Sequence, residues 1–97
     1  MIRSCSDKAT GKVIDRLAVR KLGARIQRIA LRKLRQLDAA VTLDDLSAPP
    51  GSRLVKLTGD RAGFYSIVIA DRWRVCFRWT GGEACDVRLV RDPREVP

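Results

Sequence analysis

Arginines at alternate positions of a β-strand are suited to gripping a phosphate. Their planar guanidinium groups share one face and offer forked donors that match phosphate oxygens. The stretch Trp73-Arg74-Val75-Cys76-Phe77-Arg78-Trp79 has this spacing. Pleating sends Trp73, Val75, Phe77 and Trp79 to one side and Arg74, Cys76 and Arg78 to the other. The two tryptophans have the chemistry to stack on nucleobases, but in period-two company with Val75 and Phe77 they read as core. A third candidate, Arg61, stands in the glycine-flanked loop Gly59-Asp60-Arg61-Ala62-Gly63. Tyr65 joins Arg74 and Arg78 on one open surface if the Asp71-Arg72 connection sets an even register. The opposite register turns it away, and the sequence leaves both open.

The residue inventory removes whole classes of chemistry. With no histidine among the 97 residues, Ser-His-Asp and Cys-His machinery and imidazole acid–base catalysis are excluded. The three cysteines, Cys5, Cys76 and Cys85, have no C-x-x-C spacing, so neither a zinc site nor any other metal centre is expected. Their odd number predicts reduced thiols. No cofactor is called for.

These side chains must be positioned by a small scaffold. The charge balance of 20 Lys and Arg against 11 Asp and Glu leaves +9, which favours a polyanionic or acidic partner. Leu22, Ile26, Ile29, Ala30, Leu34 and Leu37 form one apolar face of a helix across Arg20–Ala40. Lys21, Arg25, Arg28, Arg32 and Arg35 step by four and three along the opposite face, with no glutamate to relieve their repulsion. Residues 7–17 carry a weaker helical signal, and Met1–Cys5 a short strand. Thr42-Leu43-Asp44-Asp45-Leu46 reads as a capped turn with Thr42 as N-cap. Ser47-Ala48-Pro49-Pro50-Gly51-Ser52 breaks the pattern, and the period then changes from 3.6 to 2. Arg53–Thr58, Phe64–Ala70, Trp73–Thr80 and Cys85–Val90 are four strand candidates joined by hairpin-like connections. The expectation is one α+β domain over 1–97: a short N-terminal strand, then two helices packed on an antiparallel sheet. Neither a signal-peptide core nor a membrane-length apolar run stands in the sequence, so a soluble cytoplasmic protein with no membrane partner is expected.

Several of these strings also resemble one family. Lys33-Leu34-Arg35-Gln36-Leu37-Asp38-Ala39-Ala40, Leu43-Asp44-Asp45-Leu46 and Pro49-Pro50-Gly51-Ser52-Arg53-Leu54 look like the HigB-type toxins of the RelE/ParE superfamily. So does Leu57-Thr58-Gly59-Asp60-Arg61-Ala62-Gly63-Phe64-Tyr65-Ser66-Ile67, followed by Asp71-Arg72-Trp73-Arg74-Val75-Cys76-Phe77. The resemblance implies a microbial RNase-like fold and a toxin of a type II toxin–antitoxin pair. It further implies cleavage of messenger RNA on the ribosome, metal-free, with the ribose 2′-hydroxyl attacking the adjacent phosphate. A HigA-like helix-turn-helix antitoxin is the implied neutralising partner, and operator DNA is reached only through that complex.

On this resemblance Arg61 and Arg74 are the phosphate clamps. Lys56 is a base or an electrostatic aid, Tyr65 an acid or stacking group, and Asp92 the remnant of a catalytic tail. Arg53 and Arg78, with Lys21, Arg25, Arg28, Arg32 and Arg35, are the RNA- or ribosome-binding candidates. The chain departs from the family pattern at Val55, where some relatives have His, and at Thr58, where Lys is typical. Its tail reads Arg91-Asp92-Pro93-Arg94 in place of Asp-Tyr-His. Two alternatives therefore stand beside the nuclease: a catalytically weak homologue acting as an antitoxin-binding co-regulator, and a ParE-type inhibitor of DNA gyrase.

Overall fold

The computed structural model describes residues 1–47, 53–70 and 72–91. The Pro49-Pro50-Gly51 breaker and Asp92 lie outside the described residues. Three helices precede a four-stranded antiparallel sheet: α1 (Lys8–Ile14), α2 (Gly23–Ala39), α3 (Asp44–Ser47), β1 (Val55–Lys56), β2 (Phe64–Ala70), β3 (Trp73–Thr80) and β4 (Glu83–Val90). The strands pair in chain order, β1-β2-β3-β4. This is the α+β arrangement expected of a RelE-like chain, with helices on one face of the sheet.

Each helix has a local cause. Asp7 caps α1, its carboxylate accepting the Thr10 N–H at 3.0 Å. The link into α2 is held by Gln27, whose Oε1 accepts from the Val19 N–H at 2.9 Å while its Nε2 donates to the Leu17 carbonyl at 2.6 Å. Before α3, the Asp45 carboxylate accepts the N–H groups of Val41 and Thr42 at 2.8 and 3.0 Å. These bonds are the reciprocal half of the Thr42-led turn, and they hold the Asp45 carboxyl below its usual value.

The core lies between α2 and the sheet. Ile26, Ala30, Leu34 and Leu37 of α2 meet Ile67, Ile69, Trp73, Val75, Phe77, Val87 and Leu89, all of them buried. Burying each large apolar side chain contributes about 1.5–3 kcal/mol. Trp73 is in this core, and Trp79 packs against it edge-on to Phe77, as the alternation predicts. Lys33 is also buried on the covered side of α2, where loss of water and, secondarily, the Arg32 charge lower its pKa.

Two expectations are corrected and one open alternative is decided. Met1–Cys5 is not a continuous strand but an arm touching β4 through two parallel bridges, Ile2 to Ala84 and Cys5 to Val87. Its backbone bonds to β4 at 2.8–3.0 Å make it a fifth, interrupted row. The Arg53–Thr58 candidate shortens to Val55–Lys56, and β4 begins two residues before Cys85, at Glu83. The register, which the sequence leaves open, is decided by the pairing of β2 with β3. Two residues do connect Ala70 to Trp73, but a bulge between Val68 and Ala70 shifts the rest of the pairing by one. Tyr65 therefore lies opposite Phe77, and Ile67 opposite Val75, on the helix side. Counting loop residues alone gives the opposite face.

Candidate functional site

The open face of the sheet is laid out in rows by the strand register. Val68, Arg74 and Val90 form one row; Val55, Ser66, Cys76 and Arg88 form the next; Phe64, Arg78 and Cys85 form the third. Residues paired in this way share a face, and diagonal neighbours stand about 7–8 Å apart. Two of the arginines singled out in the sequence are thus on one surface, as the alternation of β3 requires.

At the β1 side this surface deepens into a cleft of about 390 Å³ lined by Val55, Lys56, Leu57, Thr58, Arg61, Ser66 and Arg74. Arg61 enters from the connection before β2, where a single 3₁₀ turn spans Gly59–Arg61. Gly59, which opens that turn, has φ +68°, and Gly63, just before β2, has φ +94°, so both use a backbone region open mainly to glycine. Arg74 comes from the start of β3 and is half-buried, whereas Lys56 and Arg61 are exposed. None of these three cations has an ion pair among the described residues. A larger cavity, about 530 Å³, lies between the N-terminal arm, α1 and α2, and contains none of the three.

Beneath the arginines sits Cys76, fully buried and packed with Val90 and Leu57. Burial pushes its thiol up to about 11 against the opposing fields of Arg88, Arg74 and Arg61. At neutral pH it is a protonated, inert floor to the site, not a nucleophile. The same fields place Arg88 of β4 beside the cleft's cations. Sequence reasoning passed over Arg88, although Val87 and Leu89 on either side of it mark it as opposite in pleat to the core.

The other candidates divide. Tyr65 does not converge with Arg74 and Arg78: it stacks with Phe77 at a centroid distance of 6.0 Å on the core side. Arg78 is on the open face but engaged, its Nε and Nη2 donating to one Asp86 oxygen at 2.7 and 2.6 Å. Asp86 is presented by a bulge in β4, at φ +53°, and its own N–H donates to the Ser4 hydroxyl at 2.9 Å. Arg53 is exposed just before β1. Lys21, Arg25, Arg28, Arg32 and Arg35 are all exposed around α2, as the helical spacing predicts.

Helices packed on one face of a short antiparallel sheet make an α+β arrangement consistent with the RelE-like fold. Residues 13–93 match the family model described as the RelE-like toxin of the type II toxin–antitoxin system HigB. Toxin HigB-1 of Vibrio cholerae serotype O1 (strain ATCC 39315 / El Tor Inaba N16961) is 37% identical over 76 residues, which is 78% of each chain. The chain belongs to the HigB-like toxins, and as a type II toxin it has an antitoxin for a partner. Among the described residues, no helix is long and apolar enough to cross a membrane.

Proposed function

We propose that this toxin acts as a ribosome-dependent, metal-independent messenger RNA endonuclease, and that a HigA-like helix-turn-helix antitoxin neutralises it. The observation that carries this reading is that Arg61 and Arg74 line one cleft with no carboxylate among the described residues paired to them. Lys56 lines its edge from a strand position that pairs with Tyr65 and so alternates to the other face. In the reaction, the ribose 2′-hydroxyl attacks the adjacent phosphorus and loses its proton. The 5′-oxygen leaves and takes a proton, and a cyclic 2′,3′-phosphate remains. The guanidinium groups of Arg61 and Arg74 stabilise the extra negative charge of the pentavalent phosphorus, where preorganised donors are most effective. Lys56 adds positive charge at the rim. The ribosome holds the messenger strand extended, which the open sheet face accommodates, and operator DNA is met through the antitoxin complex.

A second reading, a toxin homologue that binds RNA but cuts it weakly, is favoured by the placement of Tyr65. Its ring is stacked with Phe77 on the core side of the sheet, so the one phenol of the chain does not line the cleft. Primer extension on messenger RNA after induction, with and without translating ribosomes, separates the readings. New ends seen only with translating ribosomes support the endonuclease. Growth arrest with uncut messenger RNA removes it and favours a target such as gyrase. Full growth at high expression favours the weak homologue.

A further inference from the structure

Arg88 has no role in the cleft as described so far, yet its chemistry is incomplete. It is half-buried on β4, paired directly with Cys76, and it ends the row that begins at Val55 and Ser66. Its Nε is shielded from solvent and has no hydrogen-bond partner among the described residues. Among the described residues the carboxylate closest to it along β4, Asp86, is engaged with Arg78. Arg88 also stands diagonal to Arg74 across the β3–β4 pair, within reach of a single extended ligand. A buried guanidinium N–H with no acceptor is costly, and the acceptor that suits its fork best is a phosphate oxygen.

We propose that Arg88 is a second phosphate-binding position, holding the phosphodiester next to the one gripped by Arg61 and Arg74 as a single RNA strand crosses the sheet. This rests on the nuclease reading of the cleft and adds a direction to it. The strand runs from the β1 side, over Cys76, toward β4. Arg88 is a positioning residue that fixes the register of the strand, and it takes no part in bond cleavage. Arg78, one row further on, is excluded from this path by its bond to Asp86.

The test is a nuclear magnetic resonance titration of the purified chain with two uncleavable ligands. One is a dinucleoside monophosphate and the other a trinucleoside diphosphate, each carrying 2′-deoxyribose at the attacking position. In the wild type, the side-chain signals of Arg61 and Arg74 shift with both ligands, whereas the Arg88 Nε–H signal shifts only with the longer one. Arg88→Gln binds the short ligand unchanged and the long one about tenfold more weakly. Its salt dependence for the long ligand falls by about 0.7 in log–log slope, the value of one single-strand phosphate contact. An Arg88 Nε–H signal that ignores the trinucleotide overturns the proposal without recourse to any variant. Equal weakening of both ligands also overturns it, by placing Arg88 at the first phosphate. Unchanged binding of both, with a lowered melting temperature, makes Arg88 a cover for Cys76. A wild type that binds neither ligand overturns the RNA reading of the cleft, and the Arg88 position with it.

Discussion

The two arginine-rich regions of this toxin differ in how much freedom their charges have. Around α2, Lys21, Arg25, Arg28, Arg32 and Arg35 are exposed, on long stems that point into water. On the sheet, Arg74 and Arg88 are half-buried beside one another, over a floor of Cys76 and Val90 that is closed to solvent. Water screens exposed charges of this kind, so on the proposed reading their contribution to an RNA partner is additive and salt-sensitive. The second group is held by the pleat before any ligand arrives. At Arg74 a fixed donor in a partly dry site suits transition-state stabilisation, because little reorganisation remains to be done, while Arg88 suits holding a strand in place. The helix therefore suits recruitment and the sheet suits chemistry.

Arg74→Ala gives the largest effect expected of this contrast. Messenger RNA cleavage should fall by about 100-fold or more, with Arg61→Ala less severe, since loss of one transition-state donor has that scale. Arg74 is opposite in pleat to the buried Val75 and Trp73, so the melting temperature and antitoxin binding should hold. Cleavage assays beside thermal melts decide it, and full cleavage by Arg74→Ala breaks the division between recruitment and chemistry.

Replacing Arg25, Arg28 and Arg32 together with Gln addresses the other region. Ribosome or RNA affinity should lose up to roughly two units of log–log salt slope, at ~0.7 for each single-strand phosphate contact. The cleavage rate at saturation should be unchanged. A constant slope assigns the helix face to the antitoxin or to solvent.

Asp86→Asn sharpens the comparison by moving one arginine between the two kinds. It releases Arg78 from a half-exposed ion pair worth only about 0–1 kcal/mol, and Asn tolerates the φ of +53° found there. Stability should barely change, while the salt slope for RNA steepens by one contact.

The last effect lies in Cys76 and shows only at alkaline pH. Burial raises its folded pKa to about 11 from 9.0, so between those values the native state holds a proton that the unfolded chain releases. Stability from this group is complete below pH 9 and declines as pH rises through 11. Denaturant midpoints measured from pH 8 to 11 should fall with pH, and Cys76→Ala should flatten that decline.

Much of this was legible in residue order. Leu22 to Leu37 repeat at helical spacing because one face of α2 must meet the sheet, and the same spacing dictates that Lys21 to Arg35 face water. Trp73, Val75 and Phe77 alternate because β3 has a wet face and a dry one, which by itself places Arg74 and Arg78 outside. The strings around Gly59-Asp60-Arg61 and Trp73-Arg74 carried the family. Tertiary structure decided which strands those arginines face, because register depends on bulges that leave no mark on periodicity. The bulge between Val68 and Ala70 turned Tyr65 into the core, and the one at Asp86 brought a carboxylate to Arg78. Arg88 became visible only when β4 was laid beside β3, since what marks it out is a buried N–H that none of the other described residues satisfies.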